Sequence, residues 1–147
     1  MQISVDYTVA LNVLITCSLF KNEKITANYI VQKTGSDGTT VREVMYKLKK
    51  AGFITNKPGP GGTKLTRDLH DVTLLDVYNA VSNHKDNIIK FYDSPKSDPV
   101  FSYAIRETID DHFNKYRDLL HKEMSKTSVS QLCDAISKNY NYTKERS

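Results

Sequence analysis

The chain has 147 residues, with 21 Lys/Arg, 17 Asp/Glu and 39% hydrophobic residues, a length and balance that fit one soluble globular domain. Its longest apolar stretch, residues 9–20, is broken by Asn12, Thr16 and Ser18 and is shorter than the ~20 residues of a membrane span; the only charge before it, Asp6, does not fit a secretory leader. Two cysteines, Cys17 and Cys133, exclude a disulfide framework, a four-cysteine zinc site and a cysteine-ligated cluster within one chain, so the expectation is a cytoplasmic protein with no metal, no other cofactor and no membrane partner.

Residues 5–20 read as a helix apolar on nearly all sides, through Val5, Val9, Ala10, Val13, Leu14, Cys17, Leu19 and Phe20, which makes it central. Lys21 to Lys24 form a polar break. A short helix follows over 25–34, with Thr26 at its start and Gly35 at its stop. Ser36-Asp37-Gly38 makes a tight turn, and Asp37 caps a third helix running to about residue 51. Its inner face is Val41, Val44, Met45 and Leu48; Thr39, Thr40, Arg42, Glu43, Tyr46, Lys47, Lys49 and Lys50 face out. Residues 53–56 and 63–66 are β-like and flank the breaker run Lys57-Pro58-Gly59-Pro60-Gly61-Gly62, which together predict a hairpin.

Thr73 caps a fourth helix carrying Leu74, Leu75, Val77, Tyr78 and Val81, with Asp76 in its first turns. A weak helical segment covers 86–92, and a loop with two prolines covers 93–99. A long helix over 100–126 carries one narrow stripe: Phe101, Ile105, Ile109, Phe113, Tyr116 and Leu120. Ser128 and Gln131 match a capping box and open a last helix with Val129, Leu132, Cys133, Ile136 and Tyr140 inward; the polar tail after Tyr142 is expected to fray. The fold class is mainly α with a small β-hairpin. The expected units are 1–83 as a DNA-binding domain, 84–99 as a linker, and 100–147 as a dimerisation helix with a C-terminal helix.

Helix, helix, tight turn, helix, hairpin is the order of a winged helix-turn-helix. Charge supports it. Residues 1–70 carry ten Lys/Arg against five Asp/Glu, and residues 71–147 carry eleven against twelve, so the basic excess lies in the front half and suits a polyanion. The third helix can enter a major groove, where Thr39, Thr40 and Arg42 can meet base edges, with Tyr46 and Lys47 on the same outer face. Gly59, Gly61 and Gly62 let the wing lie close to a sugar–phosphate backbone, flanked by Lys57 and Lys64. The partner is then double-stranded DNA. The alternative is a winged-helix protein-interaction module whose basic face meets an acidic protein. No enzyme constellation stands out: Gly59 to Lys64 lacks the P-loop order because Thr63 intervenes, and Asp110-Asp111-His112 do not share a helix face. Cys17 and Cys133 read as core.

Four segments carry a family resemblance: Val41-Arg42-Glu43; Leu48-Lys49-Lys50-Ala51-Gly52-Phe53-Ile54; Gly59-Pro60-Gly61-Gly62; and Val72-Thr73-Leu74-Leu75-Asp76-Val77-Tyr78-Asn79-Ala80-Val81. They resemble the Rrf2 family of bacterial winged-helix transcription regulators, the IscR, NsrR and CymR type. The resemblance implies a homodimeric, sequence-specific repressor that binds a pseudo-palindromic operator, with the long helix pairing the subunits. It puts base contacts on Thr39 and Arg42, with Thr40 beside them. The slot before the wing glycines, often Arg in the family, is Pro58 here, with Lys57 one residue earlier, and Thr63-Lys64 replace a frequent aromatic. Residues 93–106 contain none of the three cysteines of cluster-binding members, so the chain is similar to a cluster-free, YwnA-type member.

Overall fold

The computed structural model describes residues 3–82, 89, 91 and 98–146. The helical segment expected over 86–92 and the loop over 93–99 fall largely outside these residues. The described elements run α1 (Val5–Leu19), α2 (Ala27–Thr34), α3 (Gly38–Lys50), β1 (Ile54–Lys57), β2 (Gly62–Leu65), α4 (Leu74–Val81), α5 (Pro99–Met124) and α6 (Val129–Arg146), with short 3-10 turns at Gly59–Gly61 and Leu69–Asp71. This is the mainly helical architecture with one antiparallel hairpin that the element order implied.

Local chemistry sets the helix ends. Thr26 Oγ1 accepts the Tyr29 N–H at 3.1 Å, and Gly35 closes α2 by donating to the Val31 carbonyl. Thr73 and Asp76 form a reciprocal capping box at α4, and Ser128 with Gln131 forms another at α6. At the end of α3 the Phe53 N–H reaches the Leu48 carbonyl and the Gly52 N–H reaches Lys49, the paired bonds of a Schellman stop. The 3-10 turn after the wing was not foreseen; Asp68 caps it by accepting the His70 N–H at 2.9 Å.

The core gathers around α1. Ala10, Val13 and Leu14 are fully enclosed, packed with Ile25, Ile30, Val41, Val44, Leu48, Val72, Val77 and Val129. Burying such side chains contributes ~1.5–3 kcal/mol each. Tyr7 threads between α1 and α4: its hydroxyl donates to the Leu74 carbonyl at 2.8 Å, and its ring meets Tyr78 edge-on at 5.6 Å.

Three features mark the back of the chain. First, α6 packs on α1 and on the Leu69–Asp71 turn, where Val129 and Cys133 join the core while Ile136 and Tyr140 stay more than a third exposed. Second, α6 runs to Arg146 instead of fraying after Tyr142. Third, among the described residues α5 reaches the core at its C-terminal end, through Leu120, Met124 and the contact of His121 with the Tyr78 ring at 5.4 Å. No described helix is long and apolar enough to cross a membrane.

Candidate nucleic-acid interface

Asp37 starts α3. Its carboxylate accepts both the backbone N–H and the hydroxyl of Thr40, each at 3.0 Å, and these bonds hold its pKa below the ordinary carboxylate value. Thr40 therefore serves the cap. The turn before α3 is fastened from the core: Asn12 Nδ2 donates to Ser36 Oγ at 3.1 Å, and Ser36 Oγ shares a hydrogen bond with Thr34 Oγ1 at 2.8 Å. This network fixes how α3 leaves α2.

The helical period sorts α3 into two faces. Val41, Val44, Met45 and Leu48 are buried, whereas Thr39, Arg42, Glu43, Tyr46, Lys49 and Lys50 are exposed. Tyr46 shows 67% of its surface, too much for a core aromatic. Arg42 lies back toward α2, with Nη2 3.5 Å from Asn28 Oδ1, a long contact that leaves the guanidinium free to swing outward. Lys47, read as an outward cation, turns to the other side: its Nζ donates to the Val81 carbonyl at 3.3 Å and lies 3.7 Å from Asp6. It ties α3 to α4 and to the start of α1.

β1 and β2 pair in register from Ile54 opposite Leu65 to Lys57 opposite Gly62, leaving Pro58–Gly61 as the tip. The wing base is sutured to the α1–α2 connection by the Thr63 N–H, which donates to the Ile25 carbonyl at 2.8 Å. Gly62 has φ +63°, and a Cβ there would stand 2.8 Å from the Ile25 carbonyl oxygen; a Cβ on Gly61 would meet Lys57 Cβ at 2.6 Å. Only glycine fits either place. Gly62 thus sits against the chain's own backbone, and Gly59 and Gly61 are the glycines of the tip. Lys57 is exposed. Lys64 Nζ donates to the Lys21 carbonyl at 3.3 Å, and Lys24 borders Gly62. The Lys21–Lys24 segment therefore lies beside β2 and Lys64, a juxtaposition invisible in sequence because 43 positions separate Lys21 from Lys64. Arg67 lies over the Phe53 ring at 4.6 Å.

Along α5, Phe101 (66%), Ile105 (41%) and Tyr116 (55%) are exposed, together with Val100, Tyr103 and Leu119, which the stripe had not included. Ile109 and Phe113 are half-buried, and Phe113 meets Tyr116 edge-on at 5.4 Å. Leu120, read as the end of the same stripe, packs against the core of its own chain.

Residues 3–135 match the family model described as "Rrf2: Iron-dependent Transcriptional regulator". The chain belongs to the Rrf2 family. It is a DNA-binding transcription regulator, not an enzyme. The HTH-type regulator YwnA of Bacillus subtilis (strain 168) is 25% identical over 128 residues, covering 87% of this chain and 94% of YwnA. Among solved structures, a transcriptional regulator from Lactobacillus plantarum superposes with a TM-score of 0.74 at 18% identity, covering 97% of this chain and 96% of the other. CymR, the global cysteine regulator of B. subtilis, does so with a TM-score of 0.64 at 18% identity over 92% and 98%. These two share the fold.

Among the described residues the donor set does not fit the iron of the family description. The chain's only two thiols, Cys17 and Cys133, are buried in α1 and α6. Burial pushes the Cys17 thiol up to about 12, with Lys64 pulling the other way, and burial raises Cys133 as well; metal ligation needs thiolates. Among the described residues no group of three or more His, Cys, Asp or Glu is placed to hold a metal ion.

Proposed function

We propose that the chain is a homodimeric, sequence-specific repressor that binds a pseudo-palindromic operator, in the cytoplasm, and silences transcription by occluding its site. The observation that carries this reading is the exposed Thr39, Arg42 and Tyr46 face of α3 together with a wing whose β2 strand carries Lys64 against the Lys21–Lys24 segment. Thr39 and Arg42 read bases, with Arg42 leaving Asn28 to bond a guanine. Thr40 orients the helix start through Asp37. Lys57, Gly59 and Gly61 follow the sugar–phosphate backbone at the tip, and Lys64 with its neighbours supplies phosphate contacts.

Residues 1–83 form the DNA-reading unit, 84–99 link it to the pairing unit, and α5 pairs two copies through Phe101, Ile105, Ile109, Phe113 and Tyr116. Within 100–147, α6 rides on α1 of its own chain and so couples the two units. The exposed apolar face of α5 supports the pairing, because a lone chain leaves Phe101 and Tyr103 about two-thirds in water.

Selection of bound duplexes from random DNA, followed by sedimentation of the complex, tests the proposal. The expected outcome is a two-fold-related motif with half-sites about one helical turn apart and two chains per site. Recovery of no motif, with binding to an acidic polypeptide instead, would select the protein-interaction alternative.

A further inference from the structure

A cavity of about 420 Å³ lies between α1, α2 and α6, on residues that neither the DNA-reading face nor the α5 stripe uses. That volume falls in the range of small-molecule sites. Ile15, Leu19, Phe20 and Ile136 make its apolar walls, and Tyr140 closes it by meeting Phe20 edge-on at 6.3 Å. Its charge is of one sign. Lys33 is the single ionic side chain lining it, and no Asp or Glu does. The Lys33 ammonium stands 4.6 Å from the Phe20 ring centroid and 5.7 Å from that of Tyr29, held over two aromatic faces at the mouth of an otherwise neutral pocket.

The wall also carries a hydroxyl with unused hydrogen-bonding capacity. Thr16 is buried to 4%, yet it makes no side-chain hydrogen bond among the described residues, although Thr34 and Thr108 bond the carbonyls four residues back. Among the described residues no enclosed side-chain oxygen or nitrogen lacks a partner, so the Thr16 oxygen keeps some exposure, and Thr16 lines this cavity. A buried hydroxyl gains by finding a partner. Asn12, which lines the same wall, spends one of its two amide hydrogens on Ser36.

We propose that this cavity binds a small organic carboxylate with an apolar or aromatic body: the carboxylate pairs with Lys33 and accepts from Thr16, and the body lies among Ile15, Leu19, Ile136 and Tyr140. Such a ligand bridges α6 to α2, next to the Asn12–Ser36–Thr34 network that sets the exit of α3. Its bearing on DNA affinity rests on the function proposed above. Binding itself does not, so the test uses the full chain free of DNA, and its failure leaves the DNA reading untouched.

The probes are benzoate, phenylacetate and 3-phenylpropionate, with 3-phenylpropanamide as the uncharged counterpart, titrated while following the methyl resonances of Ile15, Leu19 and Ile136. The expected result is saturable shifts of those methyls by at least one acid, and binding of that acid about fivefold or more tighter than the amide, the size of one part-exposed ion pair. Lys33→Met keeps the apolar stem; it should remove the preference for acid and leave amide binding unchanged. Thr16→Val keeps the shape and should weaken the acid. Silence of the three methyls toward every acid up to about 10 mM, amide binding as tight as acid binding, or an unchanged preference in Lys33→Met would each overturn the proposal.

Discussion

Truncating Phe101 should separate the proposed dimer without harming the fold. The ring is 66% exposed in the single chain, and an aromatic side chain offers ~200 Å², so about 130 Å² is available for a partner to cover. At ~25 cal/mol per Å² this contributes up to about 3 kcal/mol per copy. A two-fold interface carries the substitution twice, so Phe101→Ala should cost up to ~6 kcal/mol and weaken pairing by up to about ten-thousandfold. The core should not notice, because among the described residues α5 joins it through Leu120, His121 and Met124. Sedimentation equilibrium over a wide concentration range gives the dimer constant, and circular dichroism gives the melting temperature. The expected outcome is a wild-type dimer at micromolar concentration and a Phe101→Ala monomer with an unchanged melting temperature. A wild-type monomer, or an undiminished Phe101→Ala dimer, would refute the assignment of α5.

Gly62→Ala should lower stability by roughly 2–3 kcal/mol, through positive φ and the clash with Ile25, and lower the melting temperature more than Gly59→Ala, where a Cβ meets nothing within 4 Å. The pKa of Asp37 is held below the ordinary carboxylate value by its bonds to Thr40. A depressed pKa gives stability that is present above the unfolded value and lost as pH falls through the folded one, so melting below about pH 3.8 should be less steep in Asp37→Asn, which keeps a capping oxygen but does not titrate. Cys17, 4% exposed and with its thiol pushed up to about 12, should resist alkylation at pH 8 in the folded protein and react once it is unfolded in denaturant. Rapid labelling under native conditions would contradict its burial.

What sequence could and could not reveal divides along the range of the interactions. The caps at Thr26, Asp37, Thr73 and Ser128 were legible because the partner of each lies within three residues. The inner face of α3 was legible because a helix with one wet side repeats its apolar positions. The tether of Lys47 was not legible because an exposed position and a tethered one share the same pattern; only folding brings the Val81 carbonyl and Asp6 beside it. Leu120 belongs to the stripe by spacing, and its burial comes from how the end of α5 approaches α4. The seat of α6 on α1 and the suture of the wing to Ile25 are likewise long-range. The approach of Lys64 to the Lys21–Lys24 segment follows from that suture, so this part of the candidate interface appeared only with the fold.

The most direct test of the central claim is a binding titration of wild type, Arg42→Ala and Lys64→Ala on the selected operator and on random duplex, at two salt concentrations. If α3 reads bases while the wing meets phosphates, Arg42→Ala should lose ~1–3 kcal/mol on the operator and less on random DNA. Lys64→Ala should weaken both DNAs about equally and reduce the salt slope by roughly one counterion. Equal losses for Arg42→Ala on both DNAs, or no wild-type binding to any duplex at low salt, would contradict the account.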